Sequence, residues 1–220
     1  KVRSSGDRDR FEIDGYRQLF APQDCGDWSG VSLYAKVNSF PAQYPERILT
    51  PGLSDSGHLQ SFDCSSFALL NTYVPFANKT LDGAVEYRRR WDTEFRSFVR
   101  NLSSRLPVII CGDMNIVHTD YDNFERKLEQ SRPNFTKWER DNFNLLLSEC
   151  DLVDPYRILH PTEKKPTFYG NWRHLKMGNR IDYFIISSSL IPHVRSAEIL
   201  SDFGNGQSVP ITLDLSLDNK

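Results

Sequence analysis

The chain has 220 residues, of which 39% are hydrophobic and 25% are charged, and its formal net charge is −2. This length fits one globular domain, or at most two small ones, with enough residues to bury a sizeable core. The near-neutral charge excludes a general attraction to nucleic acid, so binding of DNA or RNA would need a local patch. No apolar run approaches the roughly 18 residues that a membrane span needs, and no membrane partner is expected.

The first ten residues, KVRSSGDRDR, are polar and highly charged, unlike a secretory signal. We predict a polar tail over residues 1–10 and one folded domain over residues 11–220. The chain begins without Met, which leaves open an absent upstream segment, a removed transit segment or a cut linker. The four cysteines are far apart and form no Cys-x-x-Cys pair, which is typical of buried, reduced thiols in an intracellular protein. We therefore expect a compartment inside the cell, either the nucleus or an organelle. The cysteines are Cys25, Cys64, Cys111 and Cys150.

Runs of β-branched and aromatic residues between turn signals predict strands. These runs cover residues 31–36, 67–74, 107–113, 180–187 and 209–217, with a weaker candidate at 194–200. Residues 50–57, which hold a proline, two glycines and two serines, predict a loop.

Two segments predict helices. Within residues 84–102, large apolar residues recur at the spacing of a single helical stripe. Most of the Arg88–Arg90 triplet falls off that stripe, which favours a solvated face over a phosphate contact. A second helix should begin at Thr136 and run to Leu147, because Thr136 and Glu139 have the spacing of a capping box. Strands alternating with helices predict a mixed α/β domain with helices outside paired sheets.

The stretch VIICGDMNIVH, residues 108–118, ends a buried strand in polar residues. Such a strand delivers the carboxylate of Asp113 and the amide of Asn115 to the rim of a sheet, where chemistry is often performed. Taken alone, Gly-Asp at a strand end is equally typical of a turn.

The five histidines fit no metal motif. His118 is expected to have a local packing or hydrogen-bonding role. The others lie in predicted loops or at element ends, which favours surface or turn roles. They are His58, His160, His174 and His193.

Together with NTYVPFAN, EYRRRW and NRIDYFIISSSL, the GDMN segment makes the chain resemble the exonuclease III and class II abasic-site (AP) endonuclease family. This family belongs to the endonuclease/exonuclease/phosphatase superfamily. The resemblance runs in order from about Gly15 to the 209–217 strand. It implies an α/β fold in four layers, with two packed mixed β-sheets and helices outside.

The resemblance also implies metal-assisted hydrolysis of a DNA phosphodiester. Asp113 and Asn115 match the aspartate that activates the attacking water and its asparagine neighbour. Tyr73 matches a tyrosine near the phosphate, and Asp182 matches the aspartate that orients a catalytic histidine.

The chain departs from the family pattern at several of these positions. Where the family has Ser-Asp-His before the last strand, this chain has Gln207 at the aspartate and Ser208 at the histidine. Phe76 replaces a phosphate-binding asparagine, and Asn179 replaces an aromatic wall of the abasic-sugar pocket. The early strands that carry the family's metal-binding Asn and Glu do not occur in the 220 residues. These departures favour an inactive, nuclease-like module that binds nucleic acid or protein.

The alternative is an active, Mg²⁺-dependent AP endonuclease or 3′–5′ exonuclease that an upstream segment completes. Without a matched glutamate we expect no tightly bound Mg²⁺, because hard cations need several oxygen ligands. The absent early strands would leave sheet edges exposed, so we also expect an upstream segment or a protein partner to cover one.

Overall fold

The computed structural model describes residues 12–21, 30–37, 46–47, 52–53, 57–78, 80–124, 132–172, 175–203 and 206–217. The strands are β1 (Tyr16–Ala21), β2 (Val31–Lys36), β3 (Glu46–Arg47), β4 (Leu59–Asp63), β5 (Ala68–Tyr73), β6 (Val108–Asp113), β7 (Leu152–Val153), β8 (Phe168–Trp172), β9 (Leu175–Asn179), β10 (Asp182–Ser187), β11 (Val194–Ile199) and β12 (Ile211–Leu215). The α-helices are α1 (Ala84–Ser103), α2 (Lys137–Glu149) and α3 (Pro155–Leu159). None of the helices among these residues combines the length and the apolar character of a membrane span.

A six-stranded mixed sheet organises the molecule, with the strand order β3-β4-β5-β6-β10-β7. Only β5 and β6 pair in parallel, and the other neighbours in this sheet are antiparallel. Because parallel neighbours need a long crossover, the chain between β5 and β6 contains α1. The carboxyl ends of β5 and β6 therefore lie at the same edge of the sheet.

One face of this sheet packs against α1 and α2. The apolar stripe predicted on α1 is confirmed by its buried residues Trp91, Phe95, Val99 and Leu102. These side chains share one core with Leu70, Ile110 and Ile185 of the central strands. Each such side chain contributes about 1.5–3 kcal/mol when it is fully buried, so this layer dominates the core.

The start of α2 confirms the predicted capping box. Thr136 is the N-cap, and its hydroxyl accepts a hydrogen bond from the backbone N–H of Glu139 at 3.4 Å. In return, the Glu139 carboxylate accepts from the backbone N–H of Thr136 at 3.1 Å and from that of Asn134 at 3.1 Å. Since Glu139 is fully buried, these donors keep its carboxylate satisfied.

Replacing Thr136 with alanine is expected to lower the free energy of unfolding by about 0.5–2 kcal/mol, because the helix loses its side-chain cap. Thr136→Ser keeps the hydroxyl and serves as the control. Urea unfolding of the three proteins measures the difference. An equal loss in the serine variant would show that the hydroxyl is not what stabilises the helix.

The other face of the six-stranded sheet packs against two-stranded antiparallel ribbons. β12 of the β11–β12 ribbon covers an apolar area of β6 and β10, where Ile109 and Ile186 meet Leu213 and Leu215. The β1–β2 ribbon covers β4 and β5. Among the described residues, no strand lies between β2 and β12 to join the two ribbons into one sheet. The α/β fold predicted from the resemblance is confirmed, while its second sheet takes the form of these separate ribbons.

The β1–β2 ribbon is attached through polar groups. The Gln60 side chain, which is almost fully buried, donates to the carbonyl of Leu19 at 3.0 Å. Its cross-strand neighbour Asn71 donates to the carbonyl of Ser32 at 3.1 Å and to Gln60 Oε1 at 3.2 Å. Interior amides therefore hold the ribbon by its main chain.

The predicted strands and helices are all present within two residues of their predicted ends. Four strands of more than two residues were not predicted: β1, β4, β8 and β9. The predicted polar tail and Cys25 lie outside the described residues, as does most of the predicted loop at 50–57. Cys64, Cys111 and Cys150 are free thiols, and Cys150 is buried.

Candidate active site

Three predicted site residues meet at one edge of the six-stranded sheet. Asp113 ends β6, Asp182 begins the antiparallel β10 opposite it, and Tyr73 ends the parallel β5 at the same level. Residues opposite each other in a sheet project to the same face, and their Cα atoms in an antiparallel pair lie roughly 4.5–5.5 Å apart. Strand register thus places Asp113 between Tyr73 and Asp182 on one face of the sheet.

These side chains face a polar cavity of about 260 Å³ between the sheet and the second layer. Its lining residues are Val31, Ser32, Asn71, Thr72, Tyr73, Gly112, Asp113, Phe168, Asp182 and Ser208. Ser32 and Phe168 were not singled out in the sequence, since each reaches the cavity only through the packing of separate elements.

Asn115 supports the site from behind. Its backbone N–H donates to Asp113 Oδ1 at 2.9 Å, and its buried side-chain amide donates to the carbonyl of Val74 at 2.7 Å. The residue has φ 46°, a left-handed conformation that asparagine tolerates better than most residues. Asn115 is therefore placed to orient the Asp113 carboxylate rather than to line the cavity.

The close approach of β5 and β6 explains the glycine before Asp113. Gly112 has φ 130°, and a Cβ atom built on it would lie 1.9 Å from the carbonyl oxygen of Thr72. Only glycine fits this position without moving one of the strands.

Main-chain pairing places Ser208 at the wall of the cavity that Asp182 also lines. The N–H of Tyr169 donates to the carbonyl of Gln207 at 2.6 Å, and that of Val209 donates to the carbonyl of Thr167 at 2.7 Å. Ser208 lies between them in an isolated bridge with Phe168. The residue that matches the family's histidine is thus a serine at the cavity wall, and both Gln207 and Ser208 are exposed.

The other two departures lie elsewhere. Phe76 is exposed on the segment after β5. Asn179 ends β9 and forms a bridge with Asn123, and its buried Oδ1 has no hydrogen-bond partner within the described residues.

A buried ion network fixes the chain just before Asp182. Arg180 Nε donates to Asp122 at 2.6 Å, and its Nη2 donates to Asp154 at 2.5 Å. Arg157 donates to the same Asp122 oxygen at 2.5 Å. Burial raises the pKa of Asp122, but the two guanidinium groups lower it more, and the net pKa lies below the ordinary value. This carboxylate is therefore structural and stays ionised.

One sequence prediction near the site is wrong, and a second is confirmed only in part. Arg88 is buried rather than solvated, because its guanidinium reaches main-chain carbonyls behind the site. His58 lies at an element end, directly before β4, as predicted, but it is buried rather than on the surface. Its Nδ1 donates to the carbonyl of Tyr73 at 2.6 Å, and its ring centroid lies 5.5 Å from that of Tyr73.

The remaining histidines behave largely as predicted. His118 packs edge-on against Phe143 and hydrogen-bonds Asn144, which confirms a local role. His160 and His193 lie at element ends, where each contacts a main-chain carbonyl. His174 lies outside the described residues.

Comparison with known proteins gives a consistent result. The profile described as "Endonuclease/Exonuclease/phosphatase family" matches residues 7–203. The chain is 33% identical over 192 residues to Recombination repair protein 1 of Drosophila melanogaster, covering 86% of this chain and 28% of that protein. It is 31% identical over 199 residues to DNA repair nuclease APEX1 of Danio rerio, covering 89% of this chain and 63% of that protein. The chain thus spans less than two thirds of the length of either relative.

Among solved structures, the AP endonuclease LMAP from Leishmania major superposes with a TM-score of 0.80 at 22% identity. The match covers 97% of this chain and 75% of that one. At this identity the likeness supports the fold.

Proposed function

Because the chain belongs to the endonuclease/exonuclease/phosphatase family, we propose that it is an active phosphodiesterase of DNA repair, an AP endonuclease or 3′–5′ exonuclease. The observation that carries the proposal is the strand register that brings Asp113, Asp182 and Tyr73 to one polar cavity. The zebrafish relative is named a DNA repair nuclease, which supports DNA as the partner. The comparisons support this active alternative better than the inactive module that the sequence favoured.

In this proposal Asp113 accepts the proton of the attacking water. A positioned general base needs a fixed orientation, and the N–H of Asn115 supplies it. The Tyr73 hydroxyl donates a hydrogen bond to a phosphate oxygen. Asp182 and Ser208 both line the cavity, at the positions where the family has an aspartate that orients a histidine.

The metal is the incomplete part of the site. Within the described residues there is no group of three or more His, Cys, Asp or Glu side chains that could hold an ion. Asp113 and Asp182 offer two carboxylates, whereas Mg²⁺ requires octahedral oxygen coordination. These residues alone do not fit the ion. We propose that a completing segment supplies the remaining ligands and pairs with an edge of β2 or β12.

A second candidate is a DNA-binding module without hydrolysis, and Ser208 favours it. A histidine beside Asp182 could carry positive charge toward the scissile phosphate, but a serine hydroxyl donates only a neutral hydrogen bond. Such a bond is about half as strong as a charge-assisted one.

The test is incision of a labelled abasic duplex with Mg²⁺ and with a chelator. It uses the longest natural polypeptide that contains these 220 residues. Metal-dependent incision at a rate well above that of an Asp113→Asn control supports the nuclease. Micromolar or tighter DNA binding without incision supports the module instead.

Restoring the family's residues with Gln207→Asp and Ser208→His is expected to raise the rate of incision at least about 10-fold, since a positioned acid–base group typically contributes 100-fold or more. The pH–rate profile should gain a limb near pH 6–7 from the new imidazole. Ser208→Ala is the matched control and should stay within about threefold of the native chain. A double variant no faster than native would contradict the role assigned to this position.

A further inference from the structure

Arg88 of α1 is buried directly behind the candidate site. Its guanidinium contacts two chain segments that follow different strands. Nη1 donates to the carbonyl of Pro75 at 2.8 Å, on the segment after β5, and to that of Asn115 at 3.3 Å. Nη2 donates to the carbonyl of Met114 at 3.3 Å, and Nε donates to Asp92 at 2.7 Å. One side chain thus joins the segments that carry Tyr73 and Asp113.

We propose that Arg88 is a positioning residue that sets the orientation of the Asp113 carboxylate through Asn115. The proposal rests on the proposed function only for its kinetic consequence. The peptide groups on the two sides of Asn115 connect the two residues: its carbonyl accepts from Arg88, and its N–H donates to Asp113 Oδ1. Because both groups belong to Asn115, a small rotation of its backbone would change the two bonds together.

Buried carbonyls make the contact specific for arginine. The three carbonyls lie outside the strand ladders, and a buried acceptor that loses its donor is not compensated by water. A planar guanidinium donates in several fixed directions at once, whereas an ammonium is a compact point charge on a flexible stem. Lysine at this position would therefore satisfy fewer of the three acceptors.

The same helix provides a matched control. Arg96 lies two turns further along α1 and is also largely buried, but it contacts Asn142 at 3.3 Å and Glu149 at 3.4 Å, both on α2. Arg96→Met removes a comparable anchor without touching the segments behind the site.

The first measurement is amide hydrogen exchange without DNA, on Arg88→Met, the milder Arg88→Lys and the control Arg96→Met. Exchange at the Asn115 amide, relative to that at Ile110 in the core of β6, should rise at least 10-fold in Arg88→Met. It should rise less in Arg88→Lys and stay unchanged in Arg96→Met. The internal reference separates local loosening from a general loss of stability. Unchanged exchange at Asn115, or an equal rise in Arg96→Met, would overturn the proposal.

The second measurement is steady-state kinetics on an abasic duplex. We expect kcat to fall at least 30-fold in Arg88→Met with KM within threefold. Arg88 contacts Asn115, which orients the general base Asp113, and it does not contact the substrate. A fall carried mainly by KM would overturn the positioning role. If no variant and no native protein cleaves DNA, the proposed function fails, while the exchange result still decides whether Arg88 sets the Asp113 loop.

Discussion

Replacing Asp113 with asparagine is expected to lower kcat for incision of an abasic duplex by about 100- to 10,000-fold, the usual contribution of a positioned general base. The amide keeps the size of the carboxylate and still offers Oδ1 to the N–H of Asn115. The free energy of unfolding should therefore change by less than about 1 kcal/mol. A large loss of rate with little loss of stability is the signature of a chemical role.

Asp141→Asn is the matched control, because Asp141 lies on the exposed side of α2 in an ion pair with Lys137. Its rate should equal that of the native chain. Single-turnover kinetics with enzyme in excess would isolate the chemical step from product release. If Asp113→Asn retained more than a third of the native rate, Asp113 could not be the base.

Replacing Arg180 with methionine is expected to lower the free energy of unfolding at pH 7 by about 3–5 kcal/mol, because buried Asp154 loses its guanidinium and buried Asp122 keeps only that of Arg157. Arg180 and Asp122 are each about 2% exposed, so water cannot hydrogen-bond the carboxylate in place of the guanidinium. Lys137→Met breaks an exposed ion pair and should cost less than about 1 kcal/mol. Urea unfolding of the three proteins makes the comparison.

The loss of stability caused by Arg180→Met should be smaller in acid than at neutral pH. Burial raises the pKa of Asp122, but Arg180 and Arg157 lower it more, so its folded pKa lies below the ordinary value of 3.8. A depressed pKa stabilises the fold above the unfolded pKa, and the stabilisation is lost as pH falls through the folded pKa. The difference in the free energy of unfolding between the native chain and the variant should therefore be full above about pH 5 and shrink below about pH 4. A gap that widened in acid would contradict an ionised Asp122.

Local patterns were sufficient to predict most of the fold. The stripe on α1 and the capping box of α2 depend on residues three or four positions apart, and both are confirmed. β4 was not predicted because Gln60 is polar yet buried: it faces the β1–β2 ribbon rather than solvent. No local pattern contains that information.

The candidate site was also predictable in part from the sequence. Asp113, Asp182 and Tyr73 each end or begin a recognisable strand, so their proximity follows from pairing. The burial of Arg88 and His58 was not predicted, because their partners are carbonyls from segments remote in the sequence. A main-chain acceptor leaves no trace in the residue type, so such contacts become visible only when the chain is folded.

The side-chain amides that hold the β1–β2 ribbon affect how freely the sequence of that ribbon can change. Gln60 and Asn71 bind the carbonyl oxygens of Leu19 and Ser32, which any residue would present in an extended backbone. Substitutions along the ribbon can therefore accumulate without weakening this attachment, provided the strands keep their alignment. A shift of the ribbon by one residue would move the carbonyls away from both amides at once. Attachment through the backbone thus tolerates sequence drift while opposing slippage, and it keeps Ser32 at the wall of the cavity.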